Sequence, residues 1–458
     1  MKRQRRLFAH EVRGLLILAG PIVVNQLGQV GMSTADTIMV GPLGAAPLAA
    51  AGLGSALHHV GLILAMGVVM GMSPLVSQAF GRRDTAECRR VLVQGSWVAL
   101  ALSVPVLLSC LYGRELSLVL GQQAEVAELT GGYLRAIAFG VPPALLFVAA
   151  RQYLEGMGHP TAPMVVTFMG LGLNIVANRA FIYGVGDWVP AMGVVGSGWA
   201  TTVVRWGMLM VVGVFLVTHR TLRLHGTSLS PDAAHMQRIL RIGGPIGAQF
   251  GLEVGLFSFA AVMMGWLGAV ELAAHQVTIN IAATTFMVAL GTAIAGTIRV
   301  GHHIGGRRPR AMRRAVVATY VLTTGFMLCC ALVFVLAPHA LIGLYTPDPD
   351  IIALGAQLLL VAAAFQVFDG AQVAGVSVLR GAAATRGPML IAAIGYWGVG
   401  LPVAWVLGFR MGHGPLGVWA GLSIGLAVVA VLLVGRVWRV FWHRSVRVLA
   451  AEHAIASP

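Results

Sequence analysis

The sequence is poor in charge. Only 10% of its 458 residues are Asp, Glu, Lys or Arg, whereas soluble domains carry about 25% charged residues. This scarcity excludes an ordinary cytosolic enzyme, a disordered chain and a nucleic-acid-binding module, so we expect no nucleic-acid partner. Hydrophobic residues are abundant instead, at 57% of the chain with a mean hydropathy of +0.83. This composition is typical of a membrane protein that crosses the bilayer many times.

Cysteine and enzyme motifs are also scarce. Four cysteines are too few for a disulfide framework and lack the spacing of metal ligands; they are Cys88, Cys110, Cys329 and Cys330. The chain has no His-Glu-x-x-His motif, no P-loop and no Gly-x-Ser-x-Gly elbow. We therefore expect no enzyme activity and no cofactor, and an ion gradient of H+ or Na+ as the energy source.

Twelve apolar stretches are long enough to cross a bilayer, which takes about 20 residues. They lie near 14–38, 48–74, 91–111, 129–150, 161–184, 193–217, 241–266, 275–298, 315–337, 351–376, 388–409 and 415–438. Arginine clusters alternate with acidic or neutral connections between them, which is the positive-inside pattern. We therefore expect both termini on the cytoplasmic side of a bacterial inner membrane, where the arginines also attract anionic lipids.

An internal repeat organises the chain. At an offset of 224, twenty of 71 positions are identical between 20–90 and 244–314. Each repeat holds six spans, so the halves enter the membrane in the same direction and are expected to be related by a pseudo-two-fold axis along the membrane normal. The sequence predicts an all-α membrane protein with two six-helix lobes. Its predicted segments are a basic tail 1–13, an N-lobe 14–217, a cytoplasmic linker 218–240, a C-lobe 241–440 and a tail 441–458.

Three acidic residues lie inside the predicted spans. They are Asp36, Glu253 and Asp369, while the other thirteen acids fall in loops, tails or span ends. A carboxylate at the bilayer centre costs roughly 2.5–3.5 kcal/mol on insertion scales, so such residues are functional candidates. The alternative is a packed carboxyl group that only bonds neighbouring helices.

Polar side chains line one face of several spans at helical spacing. These stripes are Asn25, Gln29, Met32 and Asp36 on span 1; Asn174 and Asn178 on span 5; Gln249 and Glu253 on span 7; Gln276, Asn280, Thr284 and Met287 on span 8; and Gln366, Asp369 and Gln372 on span 10. Amide-only stripes are equally consistent with interhelical hydrogen bonding. Stripes that carry a carboxylate favour a path for cations.

Buried carboxylates can exchange one cation for another. A site that holds a proton, a sodium ion or an organic cation, but not two of them together, performs antiport. Met32, Phe257 and Met287 are candidates to accept the apolar parts of varied substrates, because methionine side chains adapt in shape. Plain core packing is the alternative for these three residues.

Short motifs spread in order along the chain resemble those of one transporter family. They are Asp36-Thr37-Ile38-Met39-Val40-Gly41, Asn174-Ile175-Val176-Ala177-Asn178, Ala273-Ala274-His275-Gln276-Val277, Arg299-Val300-Gly301-His302, Phe365-Gln366-Val367-Phe368-Asp369 and Leu379-Arg380-Gly381. In combination they resemble the multidrug and toxic compound extrusion (MATE) family, in its NorM-type bacterial branch. The resemblance implies twelve helices in two lobes and substrates that are cationic, amphipathic drugs and dyes.

The resemblance also implies roles for particular residues. Asp36 matches an acid of the N-lobe linked to cation coupling, with Asn174 and Asn178 as its polar partners. Glu253 and Asp369 match the acids of the C-lobe that bind the coupling ion, and they would be metal ligands if that ion is Na+.

Further residues match the substrate side of the family or depart from its pattern. Gln276 and Asn280 match a helix near the substrate path, and we add Gln29, Met32 and Met287 as substrate-binding candidates. Asn178 stands where some relatives have a second acid, and Phe365 stands where some have Tyr. Because of these two departures, the resemblance does not decide whether the coupling ion is H+ or Na+.

We therefore predict a monomeric, secondary active multidrug efflux antiporter that exports cationic amphipathic compounds. The alternative is a lipid-linked oligosaccharide flippase, which needs a basic cavity for a pyrophosphate. Arg135, Arg179 and Arg205 are the only basic residues predicted near span interiors, so the acids favour cationic cargo. An intramembrane enzyme is a third alternative, but the spans lack a paired nucleophile and base.

Overall fold

The structure, a computed structural model, describes residues 2–219, 222 and 226–443. Residue 1, residues 220, 221 and 223–225 of the predicted linker, and residues 444–458 of the predicted C-terminal tail lie outside the described residues.

Helices make up 88% of the described residues, and that part of the chain contains no strand apart from one isolated bridge between Val185 and Val189. In the first half of the chain the helices are α1 (Lys2–Val40), α2 (Ala45–Val69), α3 (Met72–Gly81), α4 (Thr85–Leu111), α5 (Gly113–Val119), α6 (Ala124–Ala138), α7 (Val141–Gly156), α8 (Thr161–Tyr183) and α9 (Gly193–Thr218). A turn of 3-10 helix, Gly41–Leu43, joins α1 to α2.

The second half has longer helices. They are α10 (Ala233–Leu267), α11 (Ala269–Gly305), α12 (Pro309–Leu336), α13 (Pro338–Gly343), α14 (Pro349–Gly381), α15 (Arg386–Arg410) and α16 (Gly414–His443). Helix α15 contains two stretches of π-helix, Ala393–Gly400 and Val406–Arg410. Such wide turns occur often at functional sites.

Among the described residues, eleven helical segments are long and apolar enough to cross a membrane. The pair α6 and α7, bent by 46° at a short break, gives a twelfth if it is one span. This confirms the all-α membrane fold predicted from the apolar stretches. The predicted second span corresponds to α2 and α3 together, and the predicted fourth span is the bent pair.

The chain forms two compact units. We call Val24–Gly247 the N-unit, and Met1–Val23 together with Ala248–Pro458 the C-unit. Two continuous helices, α1 and α10, therefore begin in one unit and end in the other. Both divisions follow two residues after a proline inside the helix, Pro21 or Pro245, and they fall at equivalent positions of the 224-residue repeat.

The amino-terminal ends of these two helices pack in equivalent ways. In the N-unit, a Cβ added to Gly247 of α10 would lie 2.7 Å from the carbonyl oxygen of Leu64 on α2. In the C-unit, a Cβ added to Gly291 of α11 would lie 2.8 Å from the Cα atom of Val23 on α1. Glycine thus permits close helix contact in each unit, and each unit contains the beginning of the other repeat's first helix.

Backbone conformations repeat as well. Arg83 and Arg307, which the repeat aligns, both have positive φ, at 64° and 53°. Gly44 and Gly268 also align, and each stands just before a helix. Both glycines have a positive φ, at 107° and 157°. Left-handed conformations are unfavourable for residues with a Cβ atom. Their recurrence at aligned positions supports the duplication inferred from the sequence.

Charged side chains hold the beginning of α1 in the C-unit. Glu11 is 3% exposed, and its Oε1 lies 2.7 Å from Arg299 Nη2 and 3.0 Å from His303 Nε2. His303 is thus part of an ionic cluster with Glu11 and Arg299. Since α1 begins at Lys2, the predicted tail 1–13 is helical over the residues that the structure describes.

A comparable cluster holds the beginning of α10 in the N-unit. Glu87 lies 3.6 Å from Arg238 and 3.7 Å from His235. Just before α10, Asp232 Oδ1 accepts a hydrogen bond from the backbone N–H of Ala234, and Oδ2 lies 2.7 Å from His235 Nδ1. The hydrogen bond with His235 lowers the pKa of the Asp232 carboxyl, so this cap is present at neutral pH and is lost as the pH falls.

Candidate functional sites in the two units

The N-unit brings Asp36 together with both predicted partners. Asp36 Oδ1 accepts hydrogen bonds from Asn174 Nδ2 at 2.9 Å and from Asn178 Nδ2 at 2.6 Å. Thr201 Oγ1, which the sequence analysis missed, donates to Asp36 Oδ2 at 3.4 Å. Three neutral donors from α8 and α9 therefore stabilise the charged form of this carboxylate.

One oxygen in this cluster has no partner. Asn178 is fully buried, and its Oδ1 accepts no hydrogen bond. A buried acceptor without a donor is costly unless a ligand or water supplies one. The Asn178 amide thus places a free acceptor beside the Asp36 carboxylate, at the position where the resemblance had implied a second acid in some relatives.

A fixed positive charge lies near Asp36. Arg205 Nη1 and Nη2 lie 3.1 Å and 3.2 Å from His58 Nε2. Because guanidinium only donates, His58 Nε2 accepts, and its Nδ1–H points at Cys110 Sγ, 3.4 Å away. The charges of Arg205 and Asp36 interact, although no ion pair within 4.0 Å joins them.

A second polar network in the N-unit lies around Asn25. Gln29 donates to Asn25 Oδ1 at 2.8 Å, Asn25 donates to Thr167 at 3.2 Å, and Arg151 Nη1 lies 3.4 Å from Asn25 Oδ1. The predicted substrate-binding residue Gln29 is therefore engaged in the protein's own network. Met32, predicted for the same role, is half-buried on the same helix.

The N-unit also contains a buried acid that the sequence analysis counted as a span end. Glu155 is 2% exposed, and its Oε1 lies 3.9 Å from Arg151 Nε, on a side chain that is 3% exposed. The repeat gave a signal for this residue, because Leu154-Glu155-Gly156 aligns with Leu379-Arg380-Gly381 at an offset of 225. The two halves thus carry opposite charges at one buried position.

The C-unit brings Glu253 and Asp369 close enough for their charges to interact. Asp369 on α14 is 5% exposed, and Glu253 on α10 is half-buried. The Tyr396 side chain, from the π-helical part of α15, is 2% exposed and lies within electrostatic range of both carboxylates. None of the ion pairs formed by the described residues includes either acid.

The arginines that the structure buries are not those that the sequence placed near span interiors. Arg135 and Arg179 are exposed, and only Arg205 of the predicted set is partly buried. Arg151 and Arg380, which lie past the predicted span ends, are 3% and 4% exposed. The expectation was wrong because α7 and α14 continue beyond the apolar stretches, so their last turns pack inside the units.

The candidates on α11 differ in exposure. Gln276 and Asn280 are exposed, and Met287 is half-buried. Asn280 Oδ1 accepts a hydrogen bond from the Tyr345 hydroxyl at 3.3 Å. Within the described residues, no hydrogen bond joins these three side chains to Glu253 or Asp369. Their role as substrate-binding residues stays a prediction.

The aromatic candidate Phe257 lies in a chain of ring contacts. Its ring meets Phe365 edge-on at 6.1 Å, and Phe365 meets Trp419 at 6.2 Å. In the residues that the structure describes, no three His, Cys, Asp or Glu side chains form a metal-binding group. A sodium ion in the C-unit would therefore need amide, hydroxyl or water oxygens besides the two carboxylates.

Comparison with known families decides the identity. The family model MatE matches residues 21–179 and 245–406, the two halves of the repeat. The chain belongs to the MatE family. A MatE relative from Mesorhizobium japonicum, named "probable multidrug resistance protein NorM", is 38% identical over 94% of each chain. One of the same name from Pseudomonas putida is 35% identical over 94% of this chain and 95% of its own.

Solved structures share the fold. The eukaryotic MATE transporter AtDTX14 superposes with a TM-score of 0.88 at 20% identity, over 97% of this chain and 99% of that chain. A MATE in the bent conformation gives 0.86 at 22% identity, over 99% of both chains. The MatE match, the NorM relatives and the apolar helices together make this chain a multidrug efflux transporter of the membrane.

Proposed function

We propose that this MatE protein exports cationic, amphipathic compounds in exchange for a monovalent cation, H+ or Na+, across a bacterial inner membrane. It acts as a monomer with both termini in the cytoplasm. The observation that carries the proposal is the pair Glu253 and Asp369, two interacting carboxylates inside a unit built from apolar helices.

The C-unit carboxylates supply the exchange chemistry. An acid kept among apolar helices is stabilised by a bound positive charge, whether a proton, a sodium ion or an organic cation. Two close carboxylates repel each other until one such charge arrives. A coupling cation that binds there reduces the attraction for a cationic substrate, and a substrate that binds there displaces the coupling cation.

The N-unit site supports the same class of cargo. Asp36 is partly buried, and its donors Asn174, Asn178 and Thr201 hold it in a defined orientation. Gln29 and Met32 in the N-unit supply polar and adaptable apolar contacts for substrates, and Gln276, Asn280 and Met287 supply such contacts in the C-unit. The printed name of the NorM relatives, multidrug resistance protein, agrees with a varied set of substrates.

A lipid-linked oligosaccharide flippase is less well supported. Such a cavity needs unpaired basic groups for a pyrophosphate. Arg151 and Arg380, the two well-buried arginines among the described residues, each have an acid nearby, since Arg151 lies 3.9 Å from Glu155 and the charge of Arg380 interacts with Glu253. These guanidinium groups are already compensated within the protein.

Transport by the purified protein in proteoliposomes tests the proposal. A cationic dye such as ethidium is offered under an imposed proton or sodium gradient. We expect Asp369→Asn and Glu253→Gln to lose about tenfold or more of the coupled uptake, because an interaction with a charged group is worth about 1.5–3 kcal/mol.

Glu125→Gln serves as the matched control, because it removes an exposed carboxylate from the start of α6. It should transport like the parent. Equal ethidium uptake by the parent, Asp369→Asn and Glu253→Gln would refute the mechanism. A parent that responds to neither ion gradient would refute antiport with either cation.

A further inference from the structure

Arg380 is a buried arginine that the proposed exchange does not yet use. It lies at the carboxyl-terminal end of α14, is 4% exposed, and its Nε has no hydrogen-bond partner in the structure. A buried charge without compensation is strongly unfavourable. Arg380 therefore needs an anion nearby.

The geometry indicates which anion this is. The Arg380 guanidinium carbon lies 5.5 Å from the centre of the Phe250 ring. Phe250 and Glu253 are three residues apart on α10, so they share one face of that helix. The charges of Arg380 and Glu253 accordingly interact, while those of Glu253 and Asp369 repel.

The compensation acts at a distance. Within the part of the chain that the structure describes, no ion pair of 4.0 Å or less joins Arg380 to Glu253. The charge of the Arg380 guanidinium thus acts on the Glu253 carboxylate without an ion pair that locks the two groups together. Two carboxylates and one guanidinium leave the site with a net charge of minus one.

The N-unit is balanced differently. Arg205 lies one turn along α9 from Thr201, which donates to Asp36, so the single acid of this site has its own fixed cation. The buried position equivalent to Arg380 is Glu155, which has Arg151 beside it. Each of these two acids in the N-unit has an arginine, which leaves Asp369 as the uncompensated carboxylate.

We infer that Arg380 is the built-in counter-cation of Glu253, so that the C-unit site takes up one monovalent cation per transport cycle. This inference rests on the proposed antiport and adds its stoichiometry. Arg380 acts through Glu253, by setting the net charge of the site, and it need not contact the substrate. Asp369 then carries the exchanged charge, and Glu253 with Arg380 sets how many charges are exchanged.

The number of coupling cations per substrate tests the inference. A proton or sodium gradient is imposed on proteoliposomes held at zero membrane potential. The ethidium gradient at which net ethidium transport stops is then measured. We expect one cation per ethidium for the parent and for Arg380→Lys, which keeps the charge. Arg380→Gln should raise the number to two, because a second carboxylate loses its counter-charge. An unchanged number in Arg380→Gln would overturn the inference while leaving antiport itself intact.

A charge-balanced double variant decides the case if Arg380→Gln does not fold. Glu253→Gln alone leaves one carboxylate and one guanidinium in the C-unit site, with no net formal charge, and should lose coupled uptake. Adding Arg380→Gln to Glu253→Gln restores the net charge of minus one and should restore at least part of the uptake at one cation per ethidium. A double variant that neither folds nor transports would overturn the inference. Absence of gradient-driven transport in the parent would instead contradict the proposed function.

Discussion

At the residue scale, the environment of Asn178 distinguishes the N-unit site. Its amide nitrogen donates to Asp36 and its oxygen has no partner. Replacing this amide by a carboxylate would put two acids at hydrogen-bond distance, and such pairs share one proton. A carboxyl group at 178 would therefore add one shared proton to the N-unit site.

We therefore expect Asn178→Asp to make ethidium binding depend more steeply on pH than in the parent. The shared proton competes with the cation, so affinity should rise with pH by up to about tenfold per unit, the limit for one proton. Binding of ethidium to the detergent-purified protein, followed by fluorescence at a series of pH values, measures this. Asn178→Ser keeps a neutral hydrogen-bonding group and should behave like the parent, and an equal slope in Asn178→Asp would contradict the expectation.

At the element scale, α10 packs so closely against α2 that the contact leaves no room for a side chain at Gly243. A Cβ on Gly243 would collide with the carbonyl group of Val68 on α2, whereas a Cβ on the neighbouring Gly244 would have nothing within 4 Å. Gly243→Ala should therefore separate the two helices and destabilise the protein by roughly 1–3 kcal/mol, the usual cost of overpacking. Gly244→Ala is the control, and it should be neutral or slightly stabilising because alanine favours helix.

Thermal unfolding of the purified variants in detergent measures this difference. Gly243→Ala should melt well below the parent, and Gly244→Ala at or above it. Equal melting temperatures for the two variants would mean that α10 does not approach α2 as closely as described.

At the scale of the whole molecule, the arrangement of arginines predicts the orientation in the membrane. In a background with Cys329→Ser and Cys330→Ser, the remaining cysteines, Cys88 and Cys110, are buried. Ser228→Cys lies between α9 and α10, and Gln122→Cys between α5 and α6, both at exposed positions. A membrane-impermeant thiol reagent added to intact cells should label Gln122→Cys and spare Ser228→Cys. The reverse labelling would contradict cytoplasmic termini.

The sequence by itself determined the membrane fold and the duplication of this protein. Long apolar stretches require helices, because unpaired backbone groups are too costly in lipid. The duplication is visible as identical residues at an offset of 224. These two features follow from local composition and spacing. That Asn174 and Asn178 are the polar partners of Asp36 was implied instead by the resemblance of short motifs to the MATE family.

Only the tertiary structure decided which charges lie together. Arg380, Glu155 and Arg151 sit beyond the apolar stretches, and their burial depends on neighbouring helices that hydropathy does not describe. Pro21 and Pro245 stand close to the points where α1 and α10 pass from one unit to the other, but a proline inside a helix does not by itself show such a division. Burial and charge compensation arise from contacts between residues far apart in the chain, so no local pattern encodes them.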